Sequence, residues 1–196
     1  MNNVARLLFL LIIILPSCGG IANEIAAKSI DERTGIFYEA GSEENLSSNV
    51  VGLVIKAQLK THLEGFYLLE SKKSPHGKPS YPFLLNIDGQ HVDWQMEGHR
   101  ENASYYDKDG KKTVDGGPGM RYKLEKKIRI ASGPHKVFIA LPGDNYFKEF
   151  DITLSNDALF LLDLSPIYLQ DSWRRQSYLR GMKDFKVILS AMPVSK

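Results

Sequence analysis

From Val51 onward the chain alternates. Val51, Leu53, Ile55, Ala57 and Leu59 stand at odd positions, with Lys56, Gln58 and Lys60 between or beside them. A strand sends successive side chains to opposite faces, so this period of two predicts a half-buried strand. Gly65 marks a turn, and Phe66-Tyr67-Leu68-Leu69 after it reads as a second strand. Ser74-Pro75-His76-Gly77-Lys78-Pro79 is a loop by its Pro and Gly content. Phe83, Leu85 and Ile87 alternate again and run into Asp88-Gly89, a hairpin signal, with 92–96 as the returning strand. Residues 97–119 carry no core pattern and end in Asp115-Gly116-Gly117-Pro118-Gly119, which predicts a long loop. Short segments rich in apolar or β-branched residues follow at 122–130, 136–141, 147–154 and 159–164, separated in part by Gly133-Pro134 and Pro142-Gly143-Asp144. Residues 166–180 hold room for a helical turn, and Phe185, Val187 and Leu189 give a closing strand. Strands at this spacing, with no long helical period between them, predict a mainly β fold: an antiparallel β-sandwich over residues 50–196.

Upstream the pattern changes. Residues 19–49 have no sustained apolar period; Ile21 and Ile25 could form about two helical turns, too short to be stable alone. Ile36-Phe37-Tyr38 reads as a short edge strand, and the polar residues around 41–49 are turn-prone. Residues 18–49 are therefore expected to form a flexible tether. Ahead of them, Leu7-Leu8-Phe9-Leu10-Leu11-Ile12-Ile13-Ile14-Leu15 is unbroken and apolar, behind the single cation Arg6. Nine helical residues cover about 14 Å, against about 30 Å of hydrocarbon core. The run reads as the N-terminal signal helix of a signal peptide over residues 1–17, not as a spanning helix.

Leu15-Pro16-Ser17-Cys18 follows that run, and Cys18 is the only cysteine in 196 residues. The stretch resembles the lipobox of bacterial lipoproteins, departing from it at Pro16, where a small residue is more common. The resemblance covers only residues 1 to about 20. It implies cleavage between Ser17 and Cys18, and a diacylglycerol and an N-acyl chain of the palmitate kind on Cys18. Two chains anchor stably where one does not. Gly19 stands where an aspartate would favour the inner membrane, so the resemblance implies an outer-membrane anchor with the domain in the periplasm. A lone cysteine leaves no intramolecular disulfide, and about 150 residues need none, since a domain of that size buries about 70% of its unfolded surface.

A second resemblance lies in the domain. Leu85-Asn86-Ile87-Asp88-Gly89-Gln90, then Ile128-Arg129-Ile130-Ala131-Ser132-Gly133-Pro134-His135-Lys136-Val137, then Leu141-Pro142-Gly143 and Phe150-Asp151-Ile152-Thr153-Leu154, resembles PEGA-type surface modules and, more broadly, transthyretin-like β-sandwiches. The match spans about half the domain, and the chain departs from it by inserting 97–119 between the halves. It implies a binding or structural module without a catalytic site.

Composition narrows the partners. With 43% hydrophobic and 24% charged residues the chain is ordinary globular protein, and its net charge of +2 gives no basic excess for nucleic acid. Asp107-Lys108-Asp109-Gly110 resembles the start of a calcium loop, but the glycine comes fourth, not sixth, and Lys111 takes a ligand position, so a plain turn is expected. The histidines are His62, His76, His91, His99 and His135; none forms an HExxH pair. His91, Asp93 and His99 lie close in sequence, and surface polarity is the plainer reading of them. No metal and no cofactor beyond the lipid on Cys18 are expected. There is no G-x-S-x-G elbow, a lipidated Cys18 is no nucleophile, and Asp88, Asp93 and Glu97 give no warrant for glycoside chemistry, so no enzyme is expected. Trp94, Tyr105, Tyr106 and Trp173 are the candidate ligand-binding residues, since exposed aromatics could stack on sugars or anchor a protein. Burial of Trp94 and Trp173 in the core is the plainer alternative. The basic residues Arg174, Arg175, Arg180, Lys183 and Lys186 read first as a solvated face, with anionic headgroups as the alternative. The expected function is a membrane-anchored, non-catalytic binding or scaffold lipoprotein with an envelope protein or glycan partner. Carbohydrate or peptidoglycan binding is the alternative, and an envelope hydrolase stands behind both.

Overall fold

The computed structural model describes residues 20–39, 49–156, 158–170 and 175–192. The signal stretch, Ser17, Cys18 and Trp173 lie outside the described residues. The described chain is mainly β. A short helix α1 (Gly20–Lys28) and strand β1 (Phe37–Glu39) precede β2 (Val50–Thr61), β3 (Ser80–Ile87), β4 (Gln90–Ala103), β5 (Gly117–Ala131), β6 (Gly133–Leu141), β7 (Tyr146–Leu154), β8 (Leu159–Tyr168) and β9 (Met182–Met192). No helix among the described residues is long and apolar enough to cross a membrane.

The strands form one sheet, in the order β7-β6-β3-β4-β5-β2-β8-β9, with β1 added beside β5. The sequence pattern predicts two antiparallel layers; the structure has a single sheet, and its β2–β8 pair is parallel. Chain connectivity forces that sheet to curl. β7 and β8 are six strand positions apart in the order, about 29 Å at 4.8 Å per strand if the sheet were flat. The five peptide links from Leu154 to Leu159 reach only about 18 Å. The edge strands β7 and β9 therefore come into contact and the sheet nearly closes into a barrel. Side chains make that seam. Lys148 Nζ on β7 donates to Asp184 Oδ1 and Oδ2 on β9 at 2.8 and 3.0 Å and to the Phe185 carbonyl at 2.7 Å. The Tyr146 hydroxyl donates to Asp184 Oδ1 at 2.8 Å and accepts from the Phe185 amide at 3.1 Å.

The inward residues of every strand fill one core. Phe37, Leu53, Phe83, Trp94, Tyr122, Ile139, Ile152, Leu162 and Phe185 belong to it, one from each strand in turn. The odd residues of β2 from Val51 to Leu59 are all buried, as their alternation predicts. β3 and β6 are apolar on both faces because a second, outer cluster covers them. Ile25 of α1 packs there on Leu84, Phe138 and Ala140.

That outer cluster corrects the tether. Residues 20–39 are docked, not free. The Asn86 side chain donates to the Lys28 carbonyl at 2.9 Å, and the amides of Glu32 and Arg33 both donate to the Gly89 carbonyl. Gln90 bridges the Ile36 amide and the Phe37 carbonyl, and Asp31 accepts from the His91 amide. A two-turn helix too short to stand alone is held by tertiary contacts. Residues 40–48 lie outside the described residues.

Two further expectations change. Residues 97–119 are not one long loop: β4 and β5 continue into them as a paired arm, from Glu97↔Lys123 to Ala103↔Gly117, leaving only 104–116 as its tip. Much of that arm extends past the core, which is why no apolar period marks it. Phe66-Tyr67-Leu68-Leu69 is turn, not strand; Leu68 and Leu69 are 99% and 100% exposed. An apolar tetrad looks like a strand locally, but these residues find no partner strand.

The motifs at 85–90 and 133–137 meet in space. Asp88 and Gly89 take φ of 49° and 93°, the positive values a two-residue hairpin turn needs. The Asp88 carboxylate then accepts from the Lys136 amide at 2.8 Å and lies 2.7 Å from His135 Nδ1. The hairpin is thereby locked to the start of β6.

Candidate functional site: a histidine and carboxylate cluster at one end of the barrel

The last turn of β2 runs straight into the site. Thr61 and His62 leave the barrel rim, and the chain from 63 to 79 folds back over it before β3 begins. Gly77 makes the return possible. It has φ of +75°, and a Cβ there would lie 1.9 Å from the Glu64 amide nitrogen. No side chain fits so close to backbone, so only glycine lets 75–78 press on 63–64. The Tyr122 hydroxyl clamps the same turn by donating to the carbonyls of Pro75 and Lys78.

This fold-back places four titratable groups together. His62 is 4% exposed; its Nδ1 lies 3.0 Å from the Leu63 carbonyl and its Nε2 lies 3.5 Å from Glu70 Oε1. Glu70 Oε1 also accepts from the Ser74 hydroxyl at 2.7 Å and faces His76 Nδ1 at 2.7 Å. His76 Nε2 lies 2.8 Å from Asp144 Oδ1, in the turn that follows β6. Asp144 Oδ2 accepts from the Tyr81 hydroxyl at 2.5 Å. Rings enclose the group: the His62 ring meets Tyr67 and His76 edge-on, with centroids 4.8 and 4.9 Å away.

The electrostatics follow from that arrangement. Burial opposes charge on His76, but the carboxylates of Asp144 and Glu70 outweigh it and raise the imidazole above its ordinary range. Burial likewise opposes ionisation of Glu70, and the Ser74 hydroxyl with the two histidines overcomes it, holding the carboxyl below the usual range. Burial, then the adjacent Asp144 charge, pushes the Tyr81 hydroxyl far above a normal phenol. It stays a neutral donor.

Beside the cluster opens a cavity of about 470 Å³, walled by Thr61, His62, Tyr67 and Glu70 on one side and by Leu179 and Met182 on the other. The Tyr67 hydroxyl donates to the Leu179 carbonyl at 2.6 Å and ties the two walls together. Lys60 forms the floor. Its side chain is fully buried, with Nζ donating to the carbonyls of Asp115 and Gly117 at 2.7 Å each and pairing with Glu101 at 3.1 Å.

Of the residues expected to bind ligand, the described ones, Trp94, Tyr105 and Tyr106, fall elsewhere. Trp94 is 4% exposed, packs in the core and donates to Glu39 at 2.7 Å, so it offers no surface platform. Tyr105 and Tyr106 are 51% and 60% exposed, at the tip of the β4–β5 arm. His91 is taken up by Asp31, and His99 lies beside Glu97 on an exposed stretch, so His91, Asp93 and His99 do not converge. Asp107 to Gly110 is a plain turn, in which the Asp107 carboxylate accepts the amides of Asp109 and Lys111. Among the described residues, His62, Glu70 and His76 are the histidine and acid set whose ligand atoms converge. No sequence motif marks it, because the residues sit in an irregular fold-back where no helix or strand period spaces them. The one legible signal is two of five histidines flanking two acids, Glu64 and Glu70, within fifteen residues.

No protein-family model, curated protein or solved structure matches this chain.

Proposed function

We propose that the chain is an envelope lipoprotein, lipidated at Cys18, whose β domain is a non-catalytic binding or scaffold module for another envelope protein. The observation that carries the binding reading is the bare apolar tip of the 63–79 fold-back. Leu68 and Leu69 are 99% and 100% exposed, beside Phe66 at 54% and Tyr67 at 43%. Contiguous exposed apolar residues of this kind mark interaction surfaces. The docked helix adds to the reading. α1 begins at Gly20, two residues past Cys18 and so within about 7 Å of chain. A lipid on Cys18 would hold the barrel against the bilayer, in this reading the outer membrane on its periplasmic side, with no long leash. We further propose that the sheet folds as a transthyretin-like sandwich. β4 pairs with β3 through 90–97 and with β5 through 97–103. Strands that pass between layers in this way join the two halves of orthogonal sandwiches.

A photo-crosslinking residue at Leu68 in cells tests the partner, and Cys18→Ser with intact-mass analysis tests the anchor. A discrete protein adduct and a diacylated mass lost in the variant are expected. Monomer alone at Leu68 sinks the scaffold reading, and an unmodified Cys18 in the wild type sinks the anchor. Exposure of Tyr105 and Tyr106 favours a second reading, carbohydrate or peptidoglycan binding by the arm tip. Glycan retention that Tyr105→Ala and Tyr106→Ala abolish would establish it.

A further inference from the structure

We infer that His62, Glu70 and His76 form a zinc site, with the fourth coordination position open to the adjoining cavity. The inference stands on this cluster alone and is independent of whether Cys18 carries lipid.

The ligand set comes first. One nitrogen from each histidine and one oxygen of Glu70 all lie within 4.8 Å of one another. Tetrahedral zinc with bonds of about 2.0–2.1 Å spaces its ligands about 3.3 Å apart. The Glu70 to His62 distance of 3.5 Å already fits. The Glu70 to His76 distance of 2.7 Å must open slightly and the two histidine nitrogens must close from at most 4.8 Å, by up to about 1.5 Å, through small ring rotations. Two imidazoles and a carboxylate suit zinc better than calcium or magnesium, which take all-oxygen shells.

The groups behind the ligands make the stronger case. His62 Nδ1 faces the Leu63 carbonyl, which can only accept, so that nitrogen carries a proton and Nε2, facing Glu70, is the atom placed for a metal. His76 Nε2 faces Asp144, so it donates there and leaves Nδ1 for the centre. Metal-bound histidines nearly always donate their other N–H to a carbonyl or a carboxylate in this way. Both forms occur here, one on each ring. Asp144 is itself held by the Tyr81 hydroxyl, which fixes the carboxylate and through it the ring. Without metal, Nδ1 of His76 carries a proton against Glu70; zinc takes that place and the proton leaves to water.

The site is also built rather than incidental. His62 is buried, Gly77 closes the fold-back onto it, and the Tyr122 clamp holds 75–78 in place. The ligands come from one segment of fifteen residues, whereas the positioning carboxylate comes from the turn after β6, so the metal would staple the fold-back to the barrel rim. Three protein ligands leave one position, and the cavity lies beside it. A water or a ligand oxygen would complete the tetrahedron, as in zinc sites that exchange a ligand.

The test uses the untagged full-length chain in mild detergent, stripped with a chelator and titrated with zinc chloride, then with cobalt chloride. One zinc per chain is expected, with the visible absorption of tetrahedral cobalt. Glu70→Gln, a partly exposed position that keeps its Ser74 contact, should lower zinc affinity at least tenfold. His62→Gln should do the same. Asp144→Asn should weaken binding by about 10–100-fold while the cobalt spectrum keeps its shape, since Asp144 positions a ligand and is not one. The double variant His91→Gln/His99→Gln should bind as the wild type does. Folding of each variant is checked by circular dichroism. A folded wild type that takes up no zinc at micromolar concentration overturns the inference. Binding that Glu70→Gln and His62→Gln leave unchanged overturns it equally.

Discussion

Lys56 and Lys60 lie two pleat repeats apart on β2, four residues from each other, and predict opposite outcomes on substitution. Lys56 pairs with Glu125 at 3.1 Å, with the two side chains 46% and 65% exposed. Lys60 pairs with Glu101 at the same distance, but its own side chain is 0% exposed. It also donates to two carbonyls, of Asp115 and Gly117, and lies 4.7 Å over the Tyr178 ring. Lys60→Met keeps the stem and removes every donor. The two carbonyls lose their partner in a site with little water, at about 1–3 kcal/mol each. Glu101 keeps Arg121 at 2.7 Å, so no bare buried charge remains and the loss stays near the lower end of the range for breaking a buried pair. The expected cost is about 3 kcal/mol. Lys56→Met should cost about 0–1 kcal/mol, as exposed pairs do. Urea unfolding followed by circular dichroism reads both, with the slope checked for constancy. If Lys60→Met costs no more than Lys56→Met, the argument that burial decides the value of this ammonium is wrong.

The barrel seam should be acid-sensitive. Partial burial opposes ionisation of Asp184, and the Lys148 ammonium, the Tyr146 hydroxyl and the Phe185 amide outweigh it, so its folded pKa is lowered. A lowered pKa contributes stability above the unfolded value near 3.8 that is lost as pH falls through the folded value. Asp184→Asn should therefore flatten part of the stability loss between pH 5 and acid, and an unchanged pH profile would count against the seam. Gly77→Ala should cost about 2 kcal/mol or more, from the positive φ and the collision with Glu64, and should lower zinc affinity with it. A neutral substitution there would mean the fold-back is not pressed on 63–64. Leu69→Ser should leave stability within about 0.5 kcal/mol, because the side chain is bare, while weakening the adduct formed through the crosslinking residue at position 68.

Strands were legible wherever one face meets water and the other meets the core. β2 announces itself through Val51 to Leu59, where burial on alternate residues writes a period of two, and β3 was legible through Phe83, Leu85 and Ile87 although its other face is covered as well, at Leu84 and Asn86. The Asp88-Gly89 turn was legible for a different reason: positive φ at both positions admits few residue types. The pattern failed at two kinds of place. The arm from 97 to 103 pairs with 117–123 without a continuous core beneath it, so its strands leave little apolar trace. Phe66 to Leu69 carries the trace without the strand, since Leu68 and Leu69 point to solvent while Phe66 and Tyr67 pack on the His62 ring.

The amino-acid sequence by itself determined the β class, the main strands and their hairpin turn, because these depend on neighbours within a few residues. It also carries the apolar run and Cys18 on which the anchor proposal rests. Tertiary structure alone decided that the strands form one curled sheet, that α1 docks on its outer face, and that β2 and β8 run parallel. It alone brought Asp144 to His76 across 68 residues and His62 to Glu70 within a fold-back that has no period. The physical reason is common to all of these. Local spacing encodes which face a side chain takes, whereas closure, docking and ligand convergence depend on where distant segments cross, and no short-range period records that.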